Sequence, residues 1–210
     1  MRKTGFTIIE VVVVFLLMLG VTFLVLPKSL DTTKQARFIS KWSATYTGLQ
    51  YMFSVISAQK DSDIQEKITD ANNDNDRKKI IIDAIKPYLR ITSEVKTLYK
   101  QYYMNGVEVK PIDNYYFDKF YLTTSNEIVG LKLVNANCKK EEVCVIIVFD
   151  INSLEAPNKW GYDIFGINVL KHEIAPLGKD FDIDTLKRDC SKHGFGLSCS
   201  YYYLIGGKFD

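Results

Sequence analysis

Residues 6–26 are almost wholly apolar, and a single carboxylate, Glu10, stands near the start of that run. At about 1.5 Å of rise per residue a helix over this stretch covers about 30 Å, the hydrocarbon thickness of a bilayer. The run therefore predicts a membrane-spanning helix, and it sets the terms for everything downstream. An acidic group at membrane depth costs about 2.5–3.5 kcal/mol, which marks Glu10 as a functional residue that needs a cation beside it. Residues 6–26 contain no Lys, Arg or His, so that cation must come from elsewhere.

The junction Gly5-Phe6-Thr7-Ile8-Ile9-Glu10, behind the basic leader Met1-Arg2-Lys3, closely resembles the amino terminus of the type IV pilin and pseudopilin superfamily. The resemblance implies cleavage between Gly5 and Phe6 by a prepilin peptidase, followed by N-methylation of Phe6. Glu10 then becomes the fifth residue, where the family's glutamate pairs with the N-terminal amine of a neighbouring subunit. Cleavage itself thus creates the missing cation. Pro27 falls where many members carry a helix-loosening proline. The resemblance also implies a single pass through the inner (cytoplasmic) membrane, with the C-terminal domain outside the cytoplasm and a periplasmic or surface filament after assembly. Its expected partners are copies of the chain, other pilin-like subunits, the prepilin peptidase/methyltransferase, an inner-membrane assembly platform and membrane lipid. It ends near residue 30, beyond which the family varies widely.

A secretory signal peptide is the competing reading, but its cleavage site would follow the apolar region at small residues. Leu24-Val25-Leu26-Pro27-Lys28 offers no such site. A plain signal anchor explains neither Glu10 nor the Gly-Phe junction.

The chain carries 27 basic and 25 acidic side chains, and removal of Arg2 and Lys3 leaves 25 of each. No global basic field results, so nucleic acid is not an expected partner of the whole domain. Charge does not set topology either, because Lys28, Lys34, Arg37 and Lys41 balance Arg2 and Lys3 across the apolar run. Orientation rests on the resemblance.

Four cysteines suit an oxidising compartment. Three pairings are open, and the local pairs Cys138–Cys144 and Cys190–Cys199 are the simplest. Loops that short gain about 2–3 kcal/mol each in the chain-entropy model. A zinc site built on Cys190, His193 and Cys199 is the alternative, but the tight Cys-x-x-Cys pairs usual for structural zinc are absent.

Past residue 28 the helical pattern becomes amphipathic. Phe38, Trp42, Tyr46, Leu49, Phe53 and Ile56 form one apolar stripe at three- and four-residue spacing. The expected organisation is a leader at 1–5, a transmembrane helix at 6–27, its amphipathic continuation at 28–60 and a globular domain at 61–210. Residues 61–77 read as a polar loop with a short helix at 64–68. Asp70, Asn72, Asp74 and Asp76 alternate like the start of a calcium loop, yet Asn75 and Ile81 stand where an EF-hand needs glycine and glutamate. Helices are expected over 78–89, with Pro87 near the end, and over 93–103. Strands are expected at 120–124 and 128–134, joined as a hairpin, and at 143–150, 163–170 and 201–205. The fold class is α+β: a long N-terminal helix, transmembrane in its first half, packed on an antiparallel β-sheet.

The stretch from Asp150 to Asp163 resembles a loop of some pseudopilin-like proteins, with an Asp-x-Asn start and a Pro-Asn-x-x-Gly-x-Asp finish. By that resemblance Asp150, Asn152 and Asp163 are candidate calcium ligands, the one cofactor considered. A turn-rich connection set by Pro157, Asn158 and Gly161 is the other reading, and Ser153, where a glycine would ease a tight ligand loop, counts against calcium.

No enzyme is expected. His172 and His193 lie in no metalloprotease motif, and neither a Gly-x-Ser-x-Gly elbow nor a phosphate-cradling loop occurs. The reading is a pilin-like filament subunit, a pseudopilin of a type II secretion system. Its alternatives are a type IV pilus or competence minor pilin and a non-polymerising membrane-anchored periplasmic binding module. The competence version would use Lys139, Lys140, Lys187, Arg188 and Lys192 on DNA, but Glu141, Glu142 and Asp189 interrupt that patch.

Overall fold

The computed structural model describes residues 8–58, 71, 73–96, 99–117, 119–139, 141–171 and 173–209, without the side chains of 23–32 and 57. The chain divides into two compact units, 1–37 and 38–210. The first helix, α1 (Ile8–Ala58), runs through Pro27 without interruption. The helical stretch 8–22 is exposed along its whole described length.

The membrane-spanning expectation is corrected here. Among the described residues no helix is long and apolar enough to cross a membrane. The transmembrane half of the expected fold falls with it. So do the single-pass inner-membrane placement and the lipid contact that depended on it.

The second unit is α+β. Four helices are described in the chain: α1, α2 (Asp74–Leu89), α3 (Ile183–Asp189) and α4 (Cys199–Tyr202). The strands are β1 (Ile91–Glu94), β2 (Phe120–Thr123), β3 (Ile128–Leu133), β4 (Val145–Asp150), β5 (Ile164–Val169) and β6 (Ile174–Pro176), in one antiparallel sheet whose spatial order follows the chain. This meander needs no crossover, since each strand pairs with the next.

Alternation along β4 shows why its sequence reads as continuously apolar. Val145, Ile147 and Phe149 join one core, while Ile146 and Val148 join another. The first core holds Trp42, Leu49 and Met52 of α1 with Ile81, Ile82 and Ile85 of α2. The second gathers Phe117, Phe120, Trp160 and Leu177. A Cβ at Gly166 would approach Leu177 Cδ1 to 2.7 Å and Trp160 Cζ3 to 3.1 Å, so the missing side chain makes room for the indole.

The amphipathic stripe does what its spacing predicts. Trp42 and Leu49 are buried, and Phe38, Tyr46, Phe53 and Ile56 pack partly buried against the same core. The Trp42 ring stacks on Phe165 at 5.0 Å between centroids, and its Nε1 donates to the Ser200 carbonyl at 2.8 Å. Residues 38–58 of α1 thus belong to the same compact unit as the sheet, with the stripe laid against it as expected.

Three secondary-structure expectations fail. Among the described residues of 93–103 there is no helix: Arg90 adopts a left-handed conformation (φ +49) that ends α2, and the next residues pair with β2. Residues 201–205 form no strand. The chain turns helically at α4, where Ser200, Tyr202 and Tyr203 are all buried, a pattern that a one-sided strand cannot give. The sheet edge instead belongs to β6. Asp74 and Asp76, expected in a loop, form the first turn of α2, capped by the Asn73 side chain accepting from Asp76 N at 2.9 Å. Asp70, Asn72 and the helix expected at 64–68 lie outside the described residues.

Candidate functional site

The chain leaves β4 at Asp150 and re-enters the sheet at Ile164, its register partner. Between them lies a loop whose two acidic residues end up inside the protein. Asp150 is 2% exposed and Asp163 is fully buried. Left-handed backbone at Ser153 (φ +70), Asn158 (φ +51) and Gly161 (φ +75) folds the loop back on itself. Asn and Gly accept that conformation readily; Ser does so at about 1–3 kcal/mol.

All four carboxylate oxygens find donors within the protein. Asp163 accepts from the backbone N–H of Asn158 (3.0 Å) and Lys159 (2.5 Å). Asp150 accepts from Asn152 N (3.1 Å) and, through a short contact, from the Tyr99 hydroxyl. The Asn158 amide orients its nitrogen toward the Glu155 carbonyl (2.8 Å) and Asp150 Oδ2 (3.3 Å), because the reverse orientation sets oxygen against acceptors. Asn152 Nδ2 donates to the Glu155 carbonyl at 2.9 Å, while its Oδ1 is buried without a partner.

Burial dominates the electrostatics. Desolvation, then the charge of Asp163, pushes Asp150 well above the usual carboxylate range. Desolvation raises Asp163 to about 6, against the lowering effect of its backbone donors. Tyr99 stays protonated, because burial and the neighbouring Asp150 raise it well above its ordinary value. From α1, Lys41 Nζ donates to the Ile151 carbonyl and stands 3.6 Å from Glu127 Oε1.

The structure therefore brings together Asp150, Asn152 and Asp163, the three calcium candidates. Calcium takes 6–8 oxygens, and here the carboxylates are engaged by internal N–H and O–H donors. Among the described residues no group of three His, Cys, Asp or Glu side chains could hold a metal. The arrangement is a hydrogen-bonded clasp across the neck of a loop.

Two disulfides hold other loops, Cys138–Cys144 and Cys190–Cys199. The second removes the zinc alternative, since both sulfurs are consumed. Just ahead of that loop, at the end of α3, Asp189 is a hub, accepting from Phe195 N (2.9 Å), Gly196 N (3.2 Å), Ser198 N (2.8 Å) and Ser198 Oγ (2.7 Å) within it. Lys187 and Arg188 share the last turn of α3, Lys192 sits exposed in the loop after it, and Lys139 belongs to the other disulfide loop. Lys140 and His172 lie outside the described residues, and His193 is exposed.

At the other end of the chain, Glu10 lies exposed in the first turn of α1 among exposed Ile8, Ile9 and Val11. Gly5 and Phe6 fall outside the described residues. Sequence reasoning missed Tyr99, Lys41 and Asp189. Tyr99 has no local signal, since it meets Asp150 only through tertiary packing. Lys41 could have been suspected, because it adjoins Trp42 on the helix that faces the sheet. Comparison with family models, curated proteins and solved structures finds no match to this chain.

Proposed function

We propose that this protein is a pilin-like filament subunit of the pseudopilin kind, processed between Gly5 and Phe6 and methylated at Phe6. The observation that carries the reading is the helical stretch 8–22. Its apolar side chains, from Ile8 (86% exposed) through Val21 (60%), are left uncovered among the described residues. An apolar surface that continuous is the mark of an interaction site. The occupant proposed is the same stretch of neighbouring copies, packed side by side as helices. Within such a bundle Glu10 would lie in a low-dielectric interior, where an ionised carboxylate is tolerated only beside a matched cation. Cleavage at Gly5 provides one, the amine of Phe6 on an adjacent subunit.

The test is assembly. With a prepilin peptidase and the matching assembly machinery present, the wild-type chain forms filaments visible by electron microscopy. Glu10→Val is still cleaved but forms few or none, while Glu10→Asp retains part of the yield. Normal filaments from Glu10→Val refute the proposed pairing.

A further inference from the structure

A cleft of about 300 Å³ opens beside the hairpin that precedes β2, and its lining includes Tyr99, Lys100, Gln101, Glu108, Lys110 and Tyr116. The hairpin arms meet at the Tyr102–Glu108 bridge, and Val109 N donates to the Gln101 carbonyl at 2.9 Å. Gln101 is 4% exposed, and neither its Nε2 nor its Oε1 has a hydrogen-bond partner among the described residues. Buried side-chain polar atoms are nearly always paired, and leaving them unpaired destabilises the fold. A whole carboxamide left unmet in the lining of a cleft therefore points to a partner from outside the chain.

The surroundings of that amide are held in place. The Tyr99 ring packs edge-on to Phe120 at 4.5 Å between centroids, and its hydroxyl donates to Asp150. Lys110 N donates to Asp113 Oδ2 at 2.8 Å and Tyr116 N to the Asp113 carbonyl at 3.1 Å, which fixes the turn that carries Tyr116. Lys100 Nζ and Glu108 Oε1 pair at 3.0 Å and cancel in charge, while Lys110 is exposed.

We propose that this cleft binds one N-acetylhexosamine unit, its acetamido group paired with the Gln101 carboxamide. An acetamido group brings one N–H and one C=O, the complement of the acceptor and donors that Gln101 leaves unused. The C–H faces of a pyranose ring suit the apolar rings of Tyr99 and Tyr116, and its hydroxyls suit Lys110 and the Lys100–Glu108 pair. The volume lies at the lower end of ligand cavities, about 300–1,000 Å³, and so takes one ring rather than an extended chain. A peptide also carries amides, but strand-like recognition needs free backbone groups. Here the N–H groups of Tyr102, Val109 and Lys110 and the carbonyls of Gln101 and Tyr102 are already bonded. Recognition falls to side chains, which a compact ligand matches. The site lies within the sheet domain and does not depend on the filament reading.

The experiment titrates the isotope-labelled full chain with N-acetylglucosamine. The Gln101 side-chain NH₂ resonances shift with saturation at a Kd of about 1 mM, and unshifted resonances overturn the proposal. Glucose, which lacks the acetamido group, binds at least tenfold more weakly; equal affinity overturns the amide pairing. Gln101→Leu binds N-acetylglucosamine at least tenfold more weakly, and wild-type affinity in this variant refutes the site. Its Tm is at or above that of the wild type, because no hydrogen bond is lost. A lower Tm means that the amide serves the fold, which overturns its assignment to a ligand. Tyr116→Ala, at a half-buried position, also weakens binding at least tenfold, and unchanged affinity refutes the stacking. The methylamide of N-acetylalanine is the peptide probe: binding as tight as that of the sugar assigns the cleft to peptide and refutes the proposal.

Discussion

Trp42→Ala strikes the joint between α1 and the sheet. The side chain is fully buried, stacks on Phe165 at 5.0 Å and 14°, and donates to the Ser200 carbonyl. Truncating a buried Trp to Ala costs about 3–5 kcal/mol, the lost transfer energy plus the cavity left behind. For a domain of this size each kcal/mol moves Tm by about 2–4 °C, so the variant melts about 6–20 °C lower. Trp42→Phe separates the two contributions. It keeps an aromatic ring against Phe165 and abandons the Ser200 carbonyl, a loss of about 1–3 kcal/mol. Tyr51→Ala is the control on the same helix, since Tyr51 is 73% exposed and its removal costs less than about 0.5 kcal/mol. Urea unfolding followed by circular dichroism ranks the three. If Trp42→Ala falls within the range of Tyr51→Ala, the second half of α1 is not part of the domain core and the fold argument fails.

Other substitutions probe the loops. Replacing Cys138 and Cys144 by Ser lowers stability by about 2–3 kcal/mol in the chain-entropy model, seen as a lower urea midpoint that reductant does not shift further unless the second disulfide opens. Gly161→Ala forces a Cβ to 2.7 Å from Cys199 Sγ and 2.9 Å from the Gly196 carbonyl, at a φ of +75. A loss above about 2 kcal/mol is expected, and a neutral result contradicts the packing of the disulfide loop on the Asp150–Asp163 loop. Asp189→Ala removes the acceptor of Phe195 N, Ser198 N and Ser198 Oγ, whereas Gly196 N keeps its bond to the residue 189 carbonyl; amide exchange at Phe195 and Ser198 accelerates at least tenfold while α1 is unaffected.

What the sequence displays and what it conceals divide along physical lines. The stripe through Trp42 and Leu49 is legible because a helix repeats its buried face within a few residues. The hairpin of β2 and β3 and the doubly covered β4 are legible for the same local reason. The edge strands are not. Ile91–Glu94 and Ile174–Pro176 are short, and pairing with neighbours decides them more than their own composition. Residues 201–205 have the tyrosines of a strand, but burial on successive positions makes them a helical turn. The membrane-spanning reading rested on the length of the apolar run and on the resemblance at residues 5–10, and among the described residues no helix is long and apolar enough to cross a membrane. In the candidate loop, Asp150 and Asp163 were visible as residues of interest, whereas their burial and the Tyr99 hydroxyl depend on tertiary packing that no local pattern encodes.

The account of this chain as a filament subunit turns on its first ten residues. Intact-mass analysis and N-terminal sequencing of the protein co-expressed with a prepilin peptidase test it most directly. The account predicts a mature chain beginning at N-methylated Phe6, with Met1 to Gly5 removed. A chain that retains Met1 in the presence of active peptidase, or one cut elsewhere, contradicts it.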